Sequence, residues 1–119
     1  MPFEHKLNLR VARKHSDGVT VHFALRPEYL NLTGVLHGGV TASIADEAAW
    51  HAIEWFGYGA RKSTTTEMKV NYLRPIGGKK VIARAYLLRA GATLCVSRVD
   101  IYDDRKNLSA IAIVTYMLL

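Results

Sequence analysis

The sequence is poor in cysteine and has no long apolar segment. Its 119 residues include a single cysteine, Cys95, so no disulfide can form within the chain. No apolar run approaches the roughly 20 residues that span a bilayer. The first ten residues are polar and mixed, unlike the apolar core of a secretory signal. These absences predict a cytoplasmic protein that has no membrane as a partner.

Several motifs that would indicate a known chemistry are also absent. No serine lies in a Gly-x-Ser-x-Gly turn, which argues against an α/β-hydrolase. No phosphate-binding loop occurs, and the five histidines and Cys95 lack the spacing of zinc ligands. We therefore expect neither a metal nor a cofactor.

The composition is that of a folded protein with a basic surface. Half of the residues are hydrophobic and 22% are charged, so the chain can form a core. Its length fits one compact domain over residues 1–119. The net charge of +6 favours anionic partners. The basic residues are scattered and no nucleic-acid motif organises them, so we expect a solvated basic surface or a small anionic ligand rather than nucleic acid.

Hydrophobic periodicity predicts two strands, one long helix and four further strands. Alternating apolar residues from Leu7 to Leu25, with a turn at residues 16–18, indicate a β-hairpin. A glycine-rich loop precedes a predicted helix over Val40–Phe56. Four alternating segments separated by short turns follow: Thr64–Tyr72, Val81–Leu88, Leu94–Tyr102 and Leu108–Leu118. This order predicts an α+β fold in which a five- to six-stranded antiparallel sheet covers one helix.

The predicted helix has one wide apolar side that is rich in alanine. This side holds Ile44, Ala45, Ala48, Ala49, Ala52, Ile53, Trp55 and Phe56, and the other side holds Ser43, Glu47, Trp50, His51 and Glu54. Small side chains would let the sheet curl closely around the helix.

The segment before the helix can bind an anion or a developing oxyanion. Gly38 and Gly39 at a helix start would expose backbone N–H groups in the positive end of the helix dipole. A plain glycine loop would also explain the pair. His37 could be catalytic or could simply cap the helix, and Asn31 could simply stabilise the turn.

The two adjacent acids differ in their position on the helix. Asp46 lies at the boundary of the apolar side, where partial desolvation suits a catalytic base. Glu47 lies in the middle of the polar side, where we expect it to be solvated and to contribute little. The alternative for Asp46 is a structural hydrogen bond to a neighbouring strand.

The spacing of these residues predicts a site shared between subunits. Gly38 and Asp46 are about 12 Å apart along one helix, too far to act on one carbonyl. If both act, Asp46 must come from a second, antiparallel helix. Trp50 on the polar side is also typical of an interface. We expect a homodimer, or a homotetramer built from two dimers.

The chain resembles the hotdog-fold thioesterases of the phenylacetate-pathway and 4-hydroxybenzoyl-CoA type over nearly its whole length. The resemblance rests on Asn31-x5-His37-Gly38-Gly39-x6-Asp46, on the segment Lys69 to Pro75 and on the Leu88 to Gly91 hairpin. It implies hydrolysis of an acyl- or aryl-CoA thioester, with acyl-CoA as the small-molecule partner.

The resemblance also implies roles for individual residues. The Gly38 N–H would polarise the thioester carbonyl, and Asp46 of the facing subunit would act as nucleophile or general base. Asn31 and His37 would shape the loop and contact the thioester, and Thr65 would orient the water. The remaining implied residues bind substrate and comprise Gly39 together with Arg74 and Arg89, which lie where relatives place basic residues near the CoA phosphates.

One departure from the family leaves the acyl pocket uncertain. The usual N-terminal helix is missing or very short, so the pocket is more open or differently closed.

Two other functions stay open: a hotdog module that binds acyl-CoA without turnover, and a hotdog hydratase or dehydratase. The latter usually needs a carboxylate and a histidine at one site, and His51 is poorly placed relative to Asp46 on the helix.

Overall fold

Six antiparallel strands and one long helix make up the fold. The computed structural model describes residues 2–119, and its elements in chain order are α1 (Phe3–Leu7), β1 (Arg10–His15), β2 (Gly18–Ala24), a 3-10 turn (Pro27–Tyr29), α2 (Gly38–Ile53), a π-helical turn (Glu54–Tyr58), β3 (Ser63–Tyr72), β4 (Lys80–Ala90), β5 (Leu94–Tyr102) and β6 (Leu108–Leu118). The predicted α+β hotdog architecture is confirmed. Among the described residues, no helix is long and apolar enough to cross a membrane.

The strands form one sheet in the order β1-β2-β4-β5-β6-β3, and every neighbouring pair is antiparallel. The short turns between β4, β5 and β6 make these strands sheet neighbours. The chain order and the sheet order differ at β3, which pairs only with β6. Within residues 2–119, β3 is therefore an edge strand whose second edge is unpaired.

The core lies between α2 and the inner face of the sheet. The alanines predicted to face the sheet are fully buried, and so are their apolar partners on the strands, including Val21, Phe23, Val81, Ala83, Val99, Ile101 and Val114. Because alanine has a short side chain, the helix axis can approach the sheet closely and the large side chains of the strands can fill the space around it.

The N-terminal prediction was wrong in detail. Leu7 ends α1 instead of beginning the first strand, and β1 starts at Arg10. Asn8 follows α1 in the left-handed conformation, with φ of 53°, and its N–H donates to the Glu4 carbonyl. Asparagine tolerates this conformation better than most residues, so it can end the helix after five residues. The expectation was an N-terminal helix that is missing or very short, and within the described residues α1 spans Phe3–Leu7.

The C-terminal end of the long helix also differs from the prediction. Regular α-helix ends at Ile53, and a wider π-helical turn follows, in which Gly57 has a φ of 122°. Trp55 and Phe56 were predicted to lie on the buried side, but they are 47% and 55% exposed. A π turn places residues at a different angle from an α turn, so the wheel no longer applies after Ile53.

Candidate active site

The start of α2 is held by the residue that precedes it. His37 is the N-cap, and its Nδ1 accepts a hydrogen bond from the Gly39 N–H at 2.9 Å. An ideal Cβ on Gly39 would lie 3.1 Å from Nδ1, so the ring occupies the space of a side chain there. Because Nδ1 accepts, the neutral imidazole carries its proton on Nε2. The capping role weighed for His37 is confirmed.

Gly38 is the first residue of α2, and among the described residues its N–H has no hydrogen-bond acceptor. The first N–H groups of a helix have no intrahelical acceptor, and within residues 2–119 that of Gly39 is taken by His37. The nearest neighbour of an ideal Cβ on Gly38 would be the Tyr72 side chain, at 3.6 Å. The Gly38 N–H is therefore available as the kind of donor that an oxyanion site requires.

Asn31 organises the loop that leads to this donor. Its side-chain oxygen accepts from the Thr33 N–H at 2.9 Å, from the Thr33 hydroxyl at 2.7 Å and from the Val35 N–H at 3.3 Å. Its backbone N–H donates to the Val35 carbonyl. These contacts agree with the loop-shaping role expected of Asn31. Its predicted contact with the thioester is a separate proposal.

Two tyrosines attach α2 to the sheet at two carbonyls. The Tyr72 hydroxyl on β3 donates to the Gly38 carbonyl at 2.6 Å, and the Tyr116 hydroxyl on β6 donates to the Asp46 carbonyl at 3.0 Å. Burial raises the pKa of Tyr116 above its usual range, so this hydroxyl stays protonated. The sequence assigned no role to either tyrosine. For the buried Tyr116, the missed signal is that a buried tyrosine usually needs a hydrogen-bond partner for its hydroxyl.

Asp46 is held through its side chain by Thr65. The Thr65 hydroxyl donates to Asp46 Oδ1 at 2.8 Å. Thr65 is the cross-strand partner of Tyr116 in the β3–β6 pair, so the two residues that contact Asp46 lie side by side. The sequence assigned Asp46 and Thr65 separately, and the structure brings them together.

A cavity of about 780 Å³ opens beside this pair. Its wall is formed by α1, α2, the start of β3 and Tyr116, through Pro2, Glu4, His5, Asn8, Leu9, Asp46, Glu47, Trp50, His51, Ser63, Thr64, Thr65 and Tyr116. The short N-terminal helix therefore forms part of the pocket wall. Within residues 2–119, no cluster of three or more histidine, cysteine or acidic side chains is arranged to hold a metal ion.

Glu47 lies in this cavity, which the sequence did not predict. Its side chain is half-buried and shares the cavity with Glu4 and His5 of α1, and burial raises the pKa of Glu47 to about 7, with smaller contributions from Glu4 and Asp46. The expectation that Glu47 is a solvated acid was wrong. The wheel treated the polar side of α2 as a free surface, whereas that side forms a cavity wall together with residues of α1 and β3.

Trp50 and His51 line the same cavity. Trp50 is partly buried against the core, although the helical wheel places it on the polar side of α2. His51 Nδ1 is buried and makes no hydrogen bond within residues 2–119, and its nearest carboxylate oxygen, on Glu54, is 3.5 Å away.

The two basic residues assigned to CoA are far apart in one protomer. Arg74 is exposed just after β3, and its N–H donates to the carbonyl of Ser109 at the start of β6. Arg89 is exposed near the end of β4 and pairs with Val96, whose own partner near the end of β6 is Thr115. They therefore lie at opposite ends of the sheet, and neither lines the cavity.

The proposed donor and the proposed base also lie at separate places on one protomer. Gly38 contacts the Tyr72 end of β3, whereas Asp46 contacts the Thr65 end. Eight residues of helix between them correspond to about 12 Å. On one protomer, the Gly38 N–H and the Asp46 carboxylate are therefore too far apart to act on the same carbonyl.

The comparisons with known proteins agree on one family. The sequence model of the thioesterase superfamily matches residues 33–110. The medium/long-chain acyl-CoA thioesterase YigI of Escherichia coli (strain K12) is 31% identical over 133 aligned positions, which cover 99% of this chain and 86% of that protein.

Solved structures show the same fold. A variant of the phenylacetic acid degradation protein PaaI from Thermus thermophilus superposes with a TM-score of 0.85 at 27% identity, over the whole of both chains. The thioesterase HI1161 from Haemophilus influenzae superposes with a TM-score of 0.89 at 22% identity, over 98% of this chain and 82% of that one, and shows the fold alone. The predicted resemblance and the predicted thioester hydrolase are confirmed, and the chain belongs to the thioesterase superfamily.

Proposed function

We propose that the protein hydrolyses acyl-CoA thioesters to free acid and CoA at a site shared by two subunits. The single observation that carries the proposal is the arrangement on α2, where a free Gly38 N–H and a carboxylate held by Thr65 lie about 12 Å apart. The name of YigI, a medium/long-chain acyl-CoA thioesterase, supports the choice of substrate.

The unpaired edge of β3 offers a way to bring Gly38 of one subunit close to Asp46 of another. Helix α2 runs antiparallel to β3, because Gly38 contacts Tyr72 and Asp46 contacts Thr65. If two copies pair their β3 strands antiparallel about a two-fold axis near Met68, Tyr72 of one copy meets Thr65 of the other. Gly38 of one subunit then approaches Asp46 of its partner. Met68 is 36% exposed and would be covered by such pairing.

In the proposed reaction, the Gly38 N–H donates to the thioester oxygen and stabilises the negative charge that develops on it. His37 Nε2–H is a second donor at the same loop. In one route, Asp46 attacks the carbonyl carbon and forms an anhydride, which water then hydrolyses. In the other, Asp46 takes a proton from a water molecule while that water attacks the carbonyl carbon. In both routes the carbon–sulfur bond breaks and CoA leaves as its thiolate. Thr65 would hold Asp46 and orient the water.

The basic surface suits the nucleotide end of the substrate. CoA carries several phosphate charges, and the chain carries a net charge of +6. We propose that Arg74 and Arg89 contact these phosphates and that Gly39 lines the thioester end. Because the two arginines lie at opposite ends of one sheet, one CoA would meet Arg74 of one subunit and Arg89 of the other.

The test is thiol release from acetyl-, hexanoyl-, palmitoyl-, phenylacetyl- and benzoyl-CoA. We expect turnover of at least one substrate, and Asp46→Asn should lower kcat by about 10²–10⁴-fold because the side chain keeps its shape but loses its charge and basicity. KM should change little. Tight binding of acyl-CoA without any thiol release would contradict the proposal and favour a binding module.

A further inference from the structure

The cavity beside Asp46 has an acidic wall in an otherwise basic protein. The charged and titratable groups that face Glu47 are Glu4 and His5 from α1, Asp46 and His51 from α2, and Tyr116 from β6. Among the described residues, no lysine or arginine lines the cavity, although the whole chain has a net charge of +6. The positive charge therefore lies outside the space that is adjacent to the proposed catalytic carboxylate.

Glu47 lacks a counter-charge in this space, as far as residues 2–119 describe it. No ion pair among these residues includes it, and burial raises its pKa to about 7. Its environment therefore disfavours a negative charge, and a second negative charge brought into the cavity would be disfavoured further. Because the cavity adjoins Asp46, the acyl chain of a bound thioester would pass Glu47.

We propose that Glu47 makes the site selective for acyl groups that carry no negative charge, so that CoA thioesters of dicarboxylic acids are rejected. The inference rests on the proposed function and specifies its substrate class. An uncharged acyl chain meets no electrostatic repulsion in the cavity. A terminal carboxylate would meet the Glu47 and Glu4 carboxylates at close range in a partly desolvated space, where like charges repel strongly. CoA itself stays outside, against the basic surface.

The test compares two substrates that differ only in the terminal group, hexanoyl-CoA and adipoyl-CoA. The quantity measured is the ratio of kcat/KM for hexanoyl-CoA to that for adipoyl-CoA, because effects on the shared CoA portion cancel. At pH 8 we expect Glu47→Gln to lower this ratio by about tenfold, as one repulsive charge is removed. Glu54→Gln, an exposed acid on the same chain outside the cavity, should leave the ratio as in the wild type.

A pH series on the unmodified protein gives a second readout. Glu47 is mostly protonated at pH 6 and mostly ionised at pH 8, given its pKa of about 7. The ratio should therefore rise with pH in the wild type and stay flatter in Glu47→Gln. A ratio unchanged by the substitution and flat with pH would overturn the inference while leaving hexanoyl-CoA hydrolysis, and the proposed function, intact. Hydrolysis of neither substrate by the wild type, nor of any other acyl-CoA tested, would overturn both.

Discussion

Thr65 is the residue that positions the proposed base. Its hydroxyl donates to Asp46 Oδ1 at 2.8 Å, and such a bond favours one rotamer of the carboxylate. Loss of the hydroxyl should leave Asp46 free to rotate away from the thioester. Since Thr65 acts through Asp46, its removal should affect the rate of reaction more than the binding of substrate.

Thr65→Val, which removes the hydroxyl at nearly constant shape, should lower kcat by about tenfold with little change in KM. Thr65→Ser keeps the hydroxyl and should retain most of the activity. Steady-state kinetics on hexanoyl-CoA would measure both variants. Equal kcat in Thr65→Val and in the wild type would show that the contact has no role in positioning Asp46.

The sequence predicts the environment of Asp46 correctly and that of Glu47 incorrectly. The helical wheel places Asp46 at the edge of the apolar side, and the structure agrees, since the carboxylate reaches the sheet at Thr65. The same wheel cannot show that Glu4 of α1 and Glu47, more than forty positions later, line one cavity. The charge of Glu4 also raises the pKa of Glu47, and periodicity within one helix contains no information about either effect.

At the scale of elements, an irregularity in β3 decides which side chains reach the site. The β3–β6 register shifts between Thr65 and Glu67. An extra residue in one strand reverses the alternation of faces beyond it. Met68 and Thr65 therefore both face the helix, although uninterrupted alternation would place them on opposite faces. Alternation in the sequence grouped Thr64 and Thr66 with Met68, and only the family resemblance pointed to Thr65.

The regular elements were predicted well, and the errors lie at the ends of some of them and at one irregularity within a strand. The bounds of β5 and β6 are as predicted, because alternation and turn residues coincide there. The errors fall where local backbone chemistry overrides periodicity, at the short α1, at the π turn after Ile53 and at the irregularity in β3. The same features shape the site, since α1 and the start of β3 line the cavity.

The turn between β1 and β2 offers a test of the packing of elements. Gly18 has a φ of 156°, and an ideal Cβ there would lie only 1.9 Å from the Ala85 carbonyl oxygen on β4. Gly18→Ala must move backbone, so it should lower the free energy of unfolding by roughly 2 kcal/mol or more.

Gly77 is the matched control for this substitution. It is exposed, and a Cβ there would meet nothing within 4 Å. Chemical denaturation should therefore give nearly wild-type stability for Gly77→Ala. Equal stabilities for the two variants would show that the close approach of β2 to β4 is not as described.

At the scale of the whole molecule, the proposed active site needs two copies of the chain. The sheet ends at β3 with an unpaired edge within residues 2–119, and α2 holds the two proposed catalytic groups too far apart for one substrate. A two-fold axis at this edge would place Gly38 of each subunit opposite Asp46 of its partner and so form two complete sites. Two inactive variants, one altered at Gly38 and one at Asp46, should therefore restore activity to each other when they form mixed dimers.

Each of the two proposed catalytic groups can be removed by one substitution that should preserve the fold. Gly38 is the first residue of α2, a position that favours proline, and His37 before it is already extended with a ψ of 133°. Gly38→Pro should therefore remove the N–H without breaking the helix, and its Cβ would lie at an ordinary contact distance of 3.6 Å from Tyr72. Asp46→Asn removes the charge and basicity of the proposed base and keeps the shape of the side chain.

The most direct test of the shared site is to mix these two variants under conditions in which subunits exchange and to measure hydrolysis of the best acyl-CoA substrate. Each variant alone should be nearly inactive. The mixture should recover about a quarter of wild-type activity, since random exchange makes half of the dimers mixed and each mixed dimer has one intact site of two. Native mass spectrometry of the mixture would establish that mixed dimers form. Mixed dimers that remain as inactive as their parents would contradict a site built from Gly38 of one subunit and Asp46 of the other.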